Sequence, residues 1–414
     1  MSLAIAMFGG TSVPASAQTD DSYRLDRPAD ATAAIPIVVQ LRPGHEPIGG
    51  RFGSFFLYPA LDVTADHTDN VLGSDVRRRG DGGVSVRVGA LLESRWSRHR
   101  LAIDGYSLLN RYPADPGQDS SGFGAHLAGR YDIARDTRAE VDVRIDRGPE
   151  DRLDVAANAS VKPIAIATLA SSLRVDKGLG DLTLTGRVQR VASRYADGAD
   201  AAGASLPQAF RNSDRSIYTG VARYDLRSGV ALIAVIAHDD LGYRRPTSLD
   251  RDSTGLRIEG GIGLAAGLLT GEVRIGYLRR DNASPALRSP QGLSFYAGAG
   301  WTPVPRLSVR LDANRDVEDA TSPFAAGNLR SEARVTLDYQ LFADVVLSPS
   351  LRVASIDPIG IEGTNTETDA EWRATYLIGR RYHLTARVRH VNRSAGQYPP
   401  LHATQGFMTV GLTL

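Results

Sequence analysis

Short stretches of the chain alternate apolar and polar residues with a period of two. In Glu272–Arg279, Val273, Ile275 and Tyr277 are apolar, and Glu272 and Arg274 fall between them. Leu307, Val309 and Leu311 alternate with Ser308, Arg310, Asp312 and Asn314; Ala333, Val335, Leu337 and Tyr339 alternate with Arg334, Thr336 and Asp338. Val84–Leu92, Glu140–Asp146, Glu371–Tyr376 and His383–Arg389 follow the same rule. Successive strand side chains point to opposite faces, so each stretch predicts a strand with one apolar and one polar face. A soluble sandwich also alternates, with its apolar faces packed together. Here the alternation persists along the chain with no helical segment, which favours a closed cylinder with its apolar face outward.

The breaks between strands come in two kinds. Tight turns are predicted at Ser94–His99, Ile133–Thr137, Asp176–Asp181, Asp225–Gly229, Ala265–Thr270, Trp301–Arg306, Tyr339–Asp344 and Leu377–Tyr382. They recur roughly every 38 residues, the spacing of a hairpin repeat. Between them lie longer segments rich in Asp, Gly, Pro, Ser and Asn: His67–Gly83, Pro113–Ser121, Arg147–Pro163, Ala196–Arg215, Arg244–Thr254, Asn282–Gln291, Glu318–Gly327, Pro358–Thr368 and Ser394–Thr404. Eight turns alternating with nine loops predict about eighteen strands, with sixteen as the alternative. The expected fold is therefore all-β: a transmembrane antiparallel up-and-down barrel with short periplasmic turns and long extracellular loops. Trp96, Tyr131, Tyr224, Trp301, Tyr339, Tyr376 and Tyr382 gather at the short turns, where an interfacial aromatic girdle belongs.

Composition narrows the choice. Mean hydropathy is −0.20, and the longest apolar runs, such as Gly229–Ala237, fall far short of the roughly 18 residues that a membrane helix needs. Only helices and closed barrels satisfy their backbone in lipid. Cysteine is absent, which removes disulfides and thiolate chemistry. Net charge is +1 although the basic residues are almost all Arg, so nothing points to nucleic acid. Residues 1–17 end in Ala15-Ser16-Ala17 before a polar stretch and read as a cleaved signal peptide, although a basic start is missing. Residues 18–50 are expected to be a flexible periplasmic segment, with an apolar patch from Ile35 to Leu41. A plug or a partner-docking role for it remains open. Residues 51–414 are the expected barrel, closing on Gly406–Leu414, where Met408, Val410, Leu412 and Leu414 share one face.

Pro47–Asn70 combines Gly49, Arg51, Gly53, Ser54 and Phe55 with a Tyr58-Pro59 break and a strand ending at Thr68-Asp69-Asn70. With Asp338–Leu341, Tyr376–Arg380 and the terminal strand, this resembles the β-barrel porin 2 family of proteobacterial outer-membrane proteins. That resemblance implies a link to exopolysaccharide production. Outer-membrane lipid, the polymer and periplasmic export components would then be its partners.

Candidate chemistry is sparse. Eight His are scattered, with His383 and His390 on opposite strand faces and His238 beside Asp239-Asp240. A metal site needs several convergent ligands, and none is expected. Gly255–Gly267 lacks the helix and Lys of a phosphate loop; its glycines are expected to mark bulges or close packing. No catalytic residue or cofactor is expected. By alternation the lumen would be lined by Arg87, Asp104, Glu140, Asp142, Arg144, Arg187, Arg257, Glu259, Glu272, Arg274, Arg310, Asp312, Arg334, Asp338, Glu371, Arg373, Arg387 and Arg389. Such a lumen suits anions or an acidic polymer, and equally a general diffusion porin or a non-conducting surface barrel. Whether the lumen is open, and whether chains associate, is left open at this point.

Overall fold

The structure, a computed structural model, describes residues 44–154, 160–227, 229–244, 249–319 and 326–414. The predicted leader and most of the segment 18–50 lie outside them.

Eighteen antiparallel strands form one closed sheet. They are β1 (Phe55–Thr68), β2 (Asp81–Ser94), β3 (Arg100–Arg111), β4 (Ser120–Ala134), β5 (Thr137–Pro149), β6 (Ala165–Leu179), β7 (Leu182–Tyr195), β8 (Ser213–Arg227) and β9 (Val230–Tyr243). The circuit continues with β10 (Ser253–Ala266), β11 (Leu269–Asn282), β12 (Gln291–Val304), β13 (Leu307–Glu318) and β14 (Asn328–Gln340). It ends with β15, β16 (Asn365–Ile378), β17 (Tyr382–Arg393) and β18 (Leu401–Thr413). Strand β15 is broken into Val345–Leu347 and Ser350–Pro358 around Pro349, whose missing N–H cannot join the ladder. Each strand pairs with its sequence neighbours, and β18 pairs with β1 from Ala60↔Thr413 to Thr68↔Gln405, which closes the cylinder. The eight turns and nine loops fall where the pattern placed them. Four of the turns put glycine at positive φ, Gly180 (66°), Gly229 (80°), Gly267 (58°) and Gly379 (62°), a conformation that tight hairpins demand.

The register assigns the faces. Val273 and Ile275 are each 62% exposed and point outward, as do Ile258, Ile262, Leu232, Ile236 and Val410. Buried positions hold Arg274, Glu259, Glu332, Glu367 and Asp338. This apolar-outside arrangement is stable in hydrocarbon and costly in water. All seven aromatics named above are exposed: Trp96 in a turn, the other six outward-facing at the short-turn end. The run Gly229–Ala237 is apolar on both faces, because Ala231, Ile233, Val235 and Ala237 turn inward and are buried near Ile217. His238 and Asp239 separate by face within β9: His238 stacks outward against Tyr218, and Asp239 points inward.

Glycines in β10 and β11 allow close packing of a charged cluster. A Cβ on Gly261 would land on the Val273 carbonyl and on Arg274, and one on Gly276 on the Ile258 carbonyl. Gly260, by contrast, faces open space. At the short-turn end, His45 Nδ1 bonds the Gly379 carbonyl (2.7 Å) and Glu46 lies 3.6 Å from Arg380. Residues 44–46 thus rest against the β16–β17 turn.

Candidate solute path

The register places all eighteen of the predicted lumen residues on the inward face. They do not form one continuous ladder. Over β8–β17 most are locked into ion pairs with one another or with neighbours. Arg274 lies 3.1 Å from Glu272 and 3.4 Å from Glu259, and Ser294 donates a short hydrogen bond to Glu259. Arg257 meets Asp316 at 3.1 Å, and Arg310 meets Asp338 at 3.3 Å. Asp312 and Arg334 are cross-strand partners. Arg215 and Arg280 share Asp239 at 2.9 and 3.0 Å. Glu367 receives Arg352 (2.7 Å), Arg393 (3.0 Å) and Arg330 (3.6 Å), while Asp369 receives Arg389 (3.0 Å) and Arg352 (3.1 Å). Glu371 takes Arg373 at 2.6 Å and Arg387 at 3.5 Å. Guanidiniums suit such sites because their donors fork across two carboxylates.

Over β3–β5 several inward groups are wetter, although Asp62 on β1 and Asp176 on β6 are buried and paired. Asp104 and Asp142 flank His126, at 3.1 Å from Nδ1 and 2.6 Å from Nε2, a geometry that two ring N–H donors satisfy. Glu140 lies 3.7 Å from Arg138. Arg144 sits beside His126 in the register, and Arg187 stands on β7 opposite Arg174. The Arg87 guanidinium stacks over the Tyr106 ring at 3.7 Å, and Tyr106 donates to Asp146 at 3.0 Å. Sequence reasoning did not single out His126, Tyr106 or Asp146, although the same parity that selected Asp104 and Glu140 puts them on the inward face.

The loop between β5 and β6 turns into the barrel. Asp151 pairs with Arg389 of β17 at 3.1 Å, and Arg393 donates to the Leu153 carbonyl at 2.6 Å. The Leu153 side chain is buried among Val391, Leu401 and Ala403 on the inner wall of β17 and β18. The segment 150–153 is therefore a chord across the barrel, spanning the arc from β5 back through β1 to β17. Its root is held by Glu150, which pairs with Arg211 at 2.5 Å in a buried contact. Burial pushes the Glu150 carboxyl up; burial also opposes the charge on Arg211, but Glu150 outweighs it and holds Arg211 raised. Arg152 donates to Gln118 and to the Ser160 carbonyl, both at 2.7 Å; burial lowers it to about 10. Above it, Gly73 (φ 60°) packs so closely that a Cβ would strike the Arg152 carbonyl. No residue type in this loop singles out the insertion, since Leu153 is followed by Val155, Ala156, Ala157, Ala159 and Val161 in the sequence. Between the chord and the wall lies a cavity of about 200 Å³, lined by Tyr106, Tyr112, Asp146, Arg387 and Phe407 among others.

The sequence profile of the family "Putative beta-barrel porin 2" matches residues 42–413. The chain belongs to this family. It is a porin-like β-barrel of the outer membrane. A search of curated proteins finds no match. Among solved structures it is similar to OpdL of Pseudomonas aeruginosa, at 14% identity and a TM-score of 0.46 over 88% of this chain and 99% of that one. A BenF-like porin of Pseudomonas fluorescens Pf-5 gives 12% and 0.47 over 88% and 100%. The FrpB iron transporter of Neisseria meningitidis gives 12% and 0.45 over 81% of this chain, which spans 61% of FrpB. These similarities concern fold alone.

Proposed function

We propose that this family member is an aqueous diffusion channel for small hydrophilic solutes, with its long loops outside the cell and its short turns and both chain ends in the periplasm. The observation that supports this best is the chord at 150–153. It leaves a polar path along β1–β6 but narrows it, as its anchors at Arg389, Arg393 and the Val391–Leu401–Ala403 pocket hold it across that arc. An eighteen-strand cylinder is wide enough to conduct water, and an inserted segment then sets the size limit. Purified protein in planar bilayers is expected to give discrete ion conductance. Absence of conductance above baseline would end the channel reading and leave a surface-binding or structural barrel.

The role in exopolysaccharide export rests on the family resemblance. A polymer would have to thread past the chord, so this narrower reading ranks second. A deletion strain that secretes normal polymer would dismiss it without affecting the diffusion channel.

A further inference from the structure

Two arginines on the outer wall face lipid without a partner. On β5, Val141 and Ile145 point outward, and by the same parity so does Arg147; on β7, Leu184 and Val188 point outward, and so does Arg190. Both arginines are exposed, and neither has an ion pair or a side-chain hydrogen bond among the described residues.

The register sets their height. Tyr224 of the short-turn girdle pairs with Leu182, and Arg190 stands eight residues further along β7. At about 3.4 Å per residue and a strand tilt of about 40°, that is about 21 Å of height. The apolar band of such a barrel is about 25 Å tall. Tyr218, outward and 46% exposed, pairs with Val188, two residues short of Arg190. Arg190 thus stands at the loop-end boundary of the band, with its stem among acyl chains and its guanidinium at the headgroups.

A second tier of cations lies further out. Arg147 and Arg194 share one row across Ala167, with backbones about 9.6 Å apart. That row is four residues beyond Arg190, about 13 Å along the strand. Arg194 is held on Asp214 at 2.8 Å and on the Ser193 and Ser213 carbonyls, both at 2.7 Å. Arg244 meets the same carboxylate at 2.8 Å. Two guanidiniums therefore share one carboxylate beside the two that have none. Asp240, two strands from Arg190 in its row, lies 3.3 Å from His238. On the far side of the barrel the outward loop-end positions hold neutral Thr366, Thr368 and Asn392. Guanidinium forks match phosphoryl oxygens, and a cation at the edge of hydrocarbon needs an anion that the lipid itself supplies.

We propose that the outward face of β5–β8 at the loop end binds the phosphorylated headgroup of a saccharolipid in the outer leaflet. Arg190 meets a phosphoryl group at the boundary of the acyl chains. Arg147 and the Arg194–Asp214–Arg244 network face the anionic groups above it. The inference rests on the orientation stated above, with the long loops outside the cell, and not on conduction.

The test is a native mass spectrometry titration of the full chain in detergent. Bisphosphorylated lipid A is the probe, and dephosphorylated lipid A and phosphatidylglycerol are the comparators. The bisphosphorylated form is expected to bind at least about tenfold more tightly than the dephosphorylated one, since each guanidinium–phosphate contact is charge-assisted. The double variant Arg147→Gln with Arg190→Gln should weaken it by about tenfold or more and leave the dephosphorylated form unaffected. Arg279→Gln removes an outward arginine of β11 that is paired with Asp281, and should change binding less than about twofold. Should a variant fail to fold, the ranking of the three probes on the unaltered chain still decides. Equal binding of the dephosphorylated form would reduce the face to an apolar lipid contact and overturn the inference. Equal binding of phosphatidylglycerol would replace it with a general anionic-lipid surface, and an equal loss in Arg279→Gln with diffuse surface charge. An epitope inserted between Ala201 and Ala202, in the loop after β7, reads the orientation separately on intact cells. Labelling from outside supports it, and labelling only after permeabilisation refutes the orientation whatever the lipid result. Normal conductance without lipid A binding refutes this inference and leaves the channel standing.

Discussion

The two arcs of the wall, β8–β17 and β1–β6, follow one rule of alternation and treat their inward charges oppositely. On the first arc the Arg274 and Glu259 side chains are 2% and 1% exposed, packed against each other and floored by glycine. On the second, Asp142 is 47% exposed and meets the His126 ring. A buried ion pair regains by Coulomb attraction what it loses in desolvation, so it adds little net stability, but removing one partner is costly. A wet group is cheap to remove and free to meet solute. The comparison teaches that polarity of an inward face does not by itself mark a solute path. One arc is a solid wall held by charge; the other is the surface along which solute can move.

The sharpest way to break the comparison is Glu367→Ala. It would remove the carboxylate shared by Arg330, Arg352 and Arg393 and leave the buried Arg393 without its ion pair. A loss of about 3–5 kcal/mol in urea unfolding is expected. A loss near zero would mean the arc is hydrated after all. Next in size is Leu153→Ala, which removes the apolar anchor of the chord from its pocket. Docking of the segment should weaken by about 2 kcal/mol or more. Single-channel conductance should rise as the chord lifts, and unchanged conductance would show that the chord does not narrow the path. Asp142→Asn on the wet arc should cost less than about 1 kcal/mol by the same unfolding assay. It should nonetheless shift the cation-to-anion permeability ratio toward anions, measured as a reversal potential in a salt gradient. The smallest effect concerns the loop end. Asp69 accepts the Thr404 N–H at 2.8 Å, and although partial burial opposes it, this bond and Arg78 hold its carboxyl below the ordinary 3.8. A depressed folded-state pKa contributes stability above the unfolded value and loses it as pH falls through the folded one. Protection of the Thr404 amide from hydrogen exchange should therefore persist at pH 5 and fade only below 3.8.

Much of the architecture was legible in the chain. Side chains alternate because of the strand backbone itself, so Val273, Arg274 and Ile275 reveal their faces without any knowledge of neighbours. Turns are local too: Gly229 and Gly267 mark hairpins by residue type. The break at Pro349 could also be read from one residue, although it was not anticipated. Contacts remote in sequence were not legible. Asp151 meets Arg389 238 positions away, and no local pattern announces it.

Composition, period and turn spacing thus pointed by themselves to an outer-membrane barrel of about eighteen strands and fixed the parity of its inward residues, because those properties depend on chain geometry within a few residues. Tertiary structure alone decided which inward charges neutralise one another, which stay wet, and that residues 150–153 cross the barrel. Strand stagger around the cylinder sets those distances, and stagger is a property of the closed sheet that no single strand encodes.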